Sequence, residues 1–340
     1  MDAFLKYTDI KTDPAINVKI LNGFDDPVFS KNDWDKLLLS GDTDAVNLTW
    51  EWQRSWWRSF EKGKLLLIVA EKDGKPVALA PLFSDGGMIY NLCPEDALDF
   101  VGDISDPDVL DALLTTARNA VNDFCGFRFY FIPGTSSTGN WLQESATRLN
   151  FICYEEGEQP SPFLDIAGEP GKTLEITRKK SLRRHENYFL REGNLEVLHF
   201  REAKDILPHL DEFFDQHIQR RNVTEAPSLF LQPLQQNYYR RLTKEISSTG
   251  WLRFTRINWN GNPMAFHYGL CYKGRYLFGI PAFDIKLLQH SPGEVLLRQL
   301  IIAAISEGAA SFDFGMGDET YKYRFATGVT KLYNWGLYPL

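Results

Sequence analysis

Leu65-Leu66-Leu67-Ile68-Val69-Ala70-Glu71-Lys72-Asp73-Gly74-Lys75-Pro76-Val77-Ala78-Leu79 is the stretch that decides the fold, because the chain repeats its pattern. The second copy reads Trp251-Leu252-Arg253-Phe254-Thr255-Arg256-Ile257-Asn258-Trp259-Asn260-Gly261-Asn262-Pro263-Met264-Ala265-Phe266. Each copy runs from a largely apolar segment into Asp-Gly or Asn-Gly. These dipeptides tolerate the positive φ of a two-residue hairpin turn, so each copy predicts strand, turn, strand.

The pattern continues outward. Helix candidates at 50–60 and 231–247 precede the two hairpins. Downstream, Ser105-Asp106-Pro107 opens a helix that ends near Gly126, before a strand at 127–131. In the second half, Ser291-Pro292-Gly293-Glu294 opens a helix that ends near Gly308, before Ser311-Phe312-Asp313-Phe314. The turn glycine and the helix-ending glycine are 52 residues apart in one copy and 47 in the other. Each copy closes with a short helix and strand, at 141–149 and 151–152 and at 321–326 and 332–337. An internal duplication accounts for this order; two unrelated α/β halves with similar turns are the alternative.

The 340 residues leave room for two domains, at 1–170 and 196–340, with a basic segment at 171–195 between them. A 44% hydrophobic and 24% charged composition excludes a membrane-embedded or largely disordered chain. Aromatic residues make up 14%, which suggests either a groove for an apolar or stacked ligand or aromatic-rich packing. Cys93, Cys125, Cys153 and Cys271 form no CxxC pair and the six His fall at no metal-ligand spacing, so neither a disulfide framework nor a metal site is expected. The opening residues MDAFLKYTDIKTD lack the pattern of a secretory leader, and no apolar run is long enough to span a membrane. A cytoplasmic protein without a transmembrane segment is the expectation.

Net charge is divided unevenly. Residues 1–170 carry 14 Lys+Arg against 28 Asp+Glu, and 171–340 carry 23 against 17, giving −14 and +6. An anionic ligand is therefore expected on the second half, with the first half as scaffold or acceptor wall.

Helix, antiparallel strands, long helix and further strand is the element order of the GNAT acyltransferase fold. The segment from Ser291-Pro292-Gly293 through Phe312-Asp313-Phe314-Gly315-Met316-Gly317-Asp318-Glu319-Thr320-Tyr321-Lys322-Tyr323-Arg324-Phe325 resembles the C-terminal signature of the CelD/BcsL-like acetyltransferases. That family is linked to exopolysaccharide synthesis and is similar in architecture to the Fem-type aminoacyltransferases. The resemblance implies an α/β (α+β) chain of tandem GNAT-like domains, each a mixed, mostly antiparallel sheet flanked by helices. It further implies an N-acyltransferase with acyl-CoA as co-substrate and an amine of a sugar, lipid or amino-acid precursor as acceptor. An aminoacyl-tRNA donor and a non-catalytic binding module are the alternatives; neither DNA nor a metal is implied.

The residues themselves suggest where the chemistry lies. Ser291 as N-cap with Glu294 three residues on predicts a capping box. The helix start, with His290, Ser291, Gly293 and Glu294, is a candidate donor-phosphate site. It departs from the Arg/Gln-x-x-Gly-x-Gly/Ala loop of acyl-CoA-binding GNAT enzymes: its first glycine comes one place late and the second is missing. Pro292 also removes an N–H donor. Within 172–191, Arg183 and Arg184 share a helical face with Lys180 and are further candidates for the donor's phosphates. A Lys273-Gly274 turn would set His267 opposite Ile280 on the small face of its strand, open to a substrate amine, where it suits general-base work. Asp284 is a second base candidate, with a turn role as the alternative. Asp313, Asp318, Glu319, Tyr321 and Lys322 form a polar cluster after Gly315-Met316-Gly317, suited to orienting an amine; a solvated salt-bridge cluster is the alternative. Lys322 also matches the lysine of the Fem-type Phe-Lys-x-x-Phe-Gly pattern, here Tyr321-Lys322-Tyr323-Arg324-Phe325-Ala326, and the resemblance implies a role for it near the reacting carbonyl.

Overall fold

The structure is a computed structural model that describes residues 16–224 and 226–340, so the opening residues read for a leader lie outside it. The described chain divides into two compact units. Of the described residues, one comprises 16–53, 61–158 and 333–340; the other comprises 54–60, 159–224 and 226–332. The basic segment 171–195 falls within the second unit, and the last eight residues within the first.

In chain order the first unit is built from β1 (Ile16–Leu21), α1 (Lys31–Leu38), the start of α2 (Trp50–Phe60), β2 (Lys64–Lys72), β3 (Lys75–Asp85), β4 (Met88–Asn91), β5 (Val101–Gly102), α3 (Pro107–Asn119), β6 (Gly126–Pro133), α4 (Thr138–Arg148) and the start of β7 (Phe151–Asp165). Strands follow the order β1-β2-β3-β4-β6, with β5 against β3. Asp106 caps α3 by accepting from the Asp108 N–H and has Lys72 Nζ at 2.7 Å, so the capping carboxylate is itself paired. The core is aliphatic and aromatic, with Leu66, Ile68, Leu110, Leu113, Phe127 and Phe129 all but fully buried.

The second unit continues with α5 (Pro170–Thr177), α6 (Lys180–Glu192), β8 (Leu195–Phe200), α7 (Ala203–Ile206), α8 (Leu210–Arg221), α9 (Pro233–Glu245), β9 (Leu252–Trp259), β10 (Asn262–Tyr272), β11 (Arg275–Phe283), α10 (Pro292–Ser306), β12 (Ser311–Asp313), α11 (Thr320–Tyr323) and the start of β13 (Gly328–Pro339), whose remainder belongs to the first unit. Strand order is β7-β12-β11-β10-β9-β8. α10 packs against β10, β11 and α6. On the other face Phe213, Phe214, Phe230, Phe254, Phe266, Tyr239 and Tyr268 form a chain of ring contacts. These rings are buried, so much of the aromatic content of this half is core packing and not a ligand groove.

The duplication holds at the level of single residues. Asp73 and Gly74, like Asn260 and Gly261, have positive φ, as the turn requires. In the first hairpin Ala70 faces Ala78 and Glu71 faces Pro76, which leaves Val77 as an extra residue. In the second, Ile257 faces Ala265 and Asn258 faces Pro263, which leaves Met264 extra. Both bulges lie three residues beyond the turn glycine, next to a proline that has no N–H to give the ladder.

Candidate active site

β11 and β12 run parallel only from Arg275 opposite Ser311 to Leu277 opposite Asp313. Beyond that point β11 continues to Phe283, paired with β10 on its other side, while the chain after β12 turns off through Gly315 (φ 72°) and Gly317 (φ 120°). The diverging strands leave main-chain groups of β11 without a strand partner on one side, where a ligand can use them. In the first unit, β4 and β6 run parallel from Met88 opposite Gly126 to Tyr90 opposite Arg128. There the next residue closes the divergence: Asn91 Nδ2 donates to the Tyr130 carbonyl at 2.7 Å, and Asn91 Oδ1 accepts from the Tyr130 N–H at 3.1 Å. The corresponding residue of the second unit is Phe278, whose side chain has no such groups.

The loop after β12 is held from within. Asp313 is fully buried; its Oδ1 accepts from the Gly315 N–H at 2.8 Å and its Oδ2 pairs with Arg275. Lys322, only 3% exposed, donates to the carbonyls of Met316 at 2.7 Å and Gly315 at 3.2 Å and has Glu319 Oε2 at 2.8 Å. A Cβ on residue 317 would lie 2.5 Å from Glu319 Oε2 and 3.1 Å from Lys322 Nζ, so a glycine there lets the backbone wrap the ion pair. Asp318 and Glu319 are exposed at the rim. Tyr321 is half-buried, and its phenol pKa is pushed up to about 12 by burial and by the Glu319 charge. Asp313, Glu319, Tyr321 and Lys322 are therefore brought together, with Asp318 beside them.

Other expectations need correction. β10 and β11 carry a bulge in which Phe278 and Gly279 oppose the single residue Gly269, so His267 faces Pro281 and not Ile280. His267 is not open to substrate. It is fully buried and stacked on Phe278 at 5.4 Å, and among the described residues neither ring nitrogen has a hydrogen-bond partner. Burial pulls its pKa down to about 3, with His199 acting in the same direction. Asp284 caps the short helical turn Ile285–His290 by accepting from the Lys286 N–H at 2.9 Å. The capping box is absent as well: Ser291 is left-handed (φ 57°) and makes no side-chain cap, and Glu294 instead pairs with Arg324 at 2.8 Å and lies 3.6 Å from His185.

The start of α10 is consequently a poor fit to a diphosphate. Pro292 has no N–H, the N–H groups of Glu294 and Val295 return to the Ser291 carbonyl, and the Glu294 carboxylate stands at the entrance. His290 is engaged in a stack with Tyr188 at 3.9 Å. Gly293 lies under Phe283, whose ring would be 3.1 Å from a Cβ there. Arg183 and Arg184 lie exposed on α6, away from its buried face of Leu182, Glu186 and Phe189.

One residue escapes the sequence reading. Arg220, in the last turn of α8, donates to the Pro281 carbonyl at 2.7 Å and stands 4.7 Å from the centroid of Phe283. It has no ion pair among the described residues, and burial and Arg221 lower its pKa. The Arg220-Arg221 pair closing an amphipathic segment was the available signal.

Residues 177–323 match the family model described as Acetyltransferase (GNAT) domain. No curated protein sequence matches the chain. Among solved structures, FemX is 12% identical with a TM-score of 0.64, over 92% of this chain and 96% of its own. The C-terminal domain (DUF2156) of a putative lysylphosphatidylglycerol synthetase from Agrobacterium fabrum is 18% identical with a TM-score of 0.57, over 90% of each. A tandem GNAT protein from the clavulanic acid biosynthesis pathway is 12% identical with a TM-score of 0.52, over 94% and 98%. The fold is that of a tandem GNAT protein, and the domain match over residues 177–323 supports a transferase. These similarities lie on the GNAT and Fem-type side of the resemblance and do not reach the CelD/BcsL-like assignment. No helix of the described residues is long and apolar enough to cross a membrane.

Proposed function

We propose that the chain is an N-acyltransferase whose donor lies along the free side of β11 in the second unit, with the first unit as scaffold. The observation that carries this reading is the contrast between Asn91, which bridges the strand divergence in one unit, and Phe278, which cannot in the other. In the reaction, an amine nitrogen forms a C–N bond to the acyl carbon, the bond from that carbon to the carrier breaks, and the amine proton is passed on toward the leaving group. Main-chain N–H groups at the strand divergence would stabilise the carbonyl oxygen as it gains charge. Glu319 and Asp318 at the rim would orient the ammonium, while Lys322 fixes the loop and lends positive charge near the carbonyl. An acyl-CoA thioester is the donor favoured by the GNAT domain match, and an amine of a sugar, lipid or amino-acid precursor in exopolysaccharide or envelope synthesis is the acceptor.

A second reading rests on its own observation. The occupied start of α10 offers little to a diphosphate, which favours an aminoacyl-tRNA donor of Fem type. Thermal unfolding with CoA, acetyl-CoA and a long-chain acyl-CoA separates the two, since a ligand at a hundred times its dissociation constant adds about 2.7 kcal/mol of stability. Stabilisation by an acyl-CoA supports the first reading. No shift at millimolar concentration, together with salt-sensitive binding of aminoacyl-tRNA, replaces it with the second.

A further inference from the structure

α6 buries one face and leaves the other uncompensated. Its inward side is Leu182, Glu186 and Phe189, and the Glu186 carboxylate is used up inside by Arg298 at 2.5 Å and by Gln299. The outward side carries Lys180, Arg183, Arg184, Asn187 and Arg191 at helical spacing. Together with Tyr188 they line a shallow depression of about 380 Å³. Lys180, Arg183 and Arg184 have no ion pair among the described residues, and Arg191 pairs with its neighbour Glu192. Arg178, just before the helix, is likewise exposed and unpaired. Like charges three and four residues apart weaken a helix, so an anion from outside would stabilise this face.

We propose that this face docks the protein on an anionic membrane surface. The charge selects a phosphate-bearing partner, and the apolar side chains around it select lipid. Leu190, on α6, is 53% exposed, and Leu288 is 54% exposed on the turn that carries His290, itself stacked on Tyr188 of α6. Exposed leucines among arginines and lysines gain from the boundary between headgroups and acyl chains and gain nothing from a nucleic-acid backbone. Tyr188, the ring best placed to stack on a base, is already taken by His290.

The test is co-sedimentation of the full chain with vesicles of phosphatidylcholine alone and of phosphatidylcholine mixed with phosphatidylglycerol, at low and high salt. Binding only to the mixed vesicles, weakened by salt, is expected. Each basic residue at such a surface contributes about fivefold to partitioning, so the Arg183→Glu/Arg184→Glu variant should bind at least about 25-fold more weakly. Leu190→Ser should lower binding about tenfold at unchanged charge. Both changes are on the surface, and the reversal also removes like-charge repulsion beside Lys180, so circular dichroism melts should be no lower than those of the parent chain. Equal binding to neutral vesicles, or mixed-vesicle binding unaffected by the double reversal, overturns the proposal. So does retention on single-stranded RNA without vesicle binding, which would assign the face to a nucleic acid.

Discussion

Asn91 holds the main chain of Tyr130 at both its N–H and its C=O, and so bridges β4 and β6 at the point where they part. The carboxamide fits because one end donates and the other accepts. Asn91→Ala leaves two backbone groups without partners and is expected to cost about 2–3 kcal/mol in urea unfolding. Asn91→Asp should cost at least as much, because a carboxylate oxygen would face the Tyr130 carbonyl. Ligand binding in the second unit should survive either change. Unaltered stability in both variants would show that the bridge contributes nothing.

Lys322 is buried while its carboxylate partner Glu319 is exposed, so the two ends of this ion pair differ in worth. Removing Glu319 takes away a solvent-screened contact of about 0–1 kcal/mol. Lys322→Met instead leaves the carbonyls of Gly315 and Met316 without their donor and should cost about 2–3 kcal/mol, with acyl transfer falling to background. A Glu319→Gln variant more destabilised than Lys322→Met would contradict this assignment.

The hairpins could be read from the chain because Asp73-Gly74 and Asn260-Gly261 announce their own backbone geometry. The α10 helix showed itself through its apolar stripe, and the polar cluster through its glycines. What stayed hidden depends on tertiary contacts. The bulge that turns His267 from Ile280 to Pro281 arises where Gly269 meets Phe278 and Gly279, and no local signal marks it. A Cβ at position 269 would lie 2.1 Å from the His267 ring and 2.4 Å from the Leu277 carbonyl, so the glycine accommodates the ring and the backbone together. Glu294 reads as a capping residue in any helix of this sequence; only Arg324, thirty residues on, draws it away. Arg220 gains its significance from Pro281 and Phe283, sixty residues distant.

Two buried histidines are expected to weaken the fold as pH falls. His217 donates to or accepts from Ser228 Oγ at 2.7 Å, and burial lowers its pKa to about 4; His267 is lowered to about 3. Each takes up a proton more readily in the unfolded chain, where histidine titrates near pH 6.5. Their contribution is therefore complete above about pH 6.5 and falls by about 1.4 kcal/mol per pH unit for each group below it, levelling off as pH drops past the folded value. Urea midpoints at pH 7 and pH 5 should differ accordingly, and His217→Gln should make the acid limb shallower. Equal midpoints at the two pH values would count against the burial of both rings.

Arg220 tests whether the free stretch of β11 must be held in place. Its guanidinium donates to the Pro281 carbonyl and covers Phe283, the ring that also contacts Gly293 at the start of α10. Arg220 therefore ties α8 to the segment against which the donor is proposed to lie. A lysine keeps the charge but loses the planar group that stacks and donates at once. Arg220→Lys is expected to cost about 1 kcal/mol of stability, from the lost cation–π contact and the weakened hydrogen bond. In turnover it should lower kcat more than it raises KM, because misplacing the strand edge affects the oxygen as it gains charge more than it affects donor binding. Arg220→Gln should show the same kcat defect with a larger loss of stability. A variant that raises KM alone would instead make Arg220 a contact of the bound ligand, and one that changes neither constant would remove it from the site.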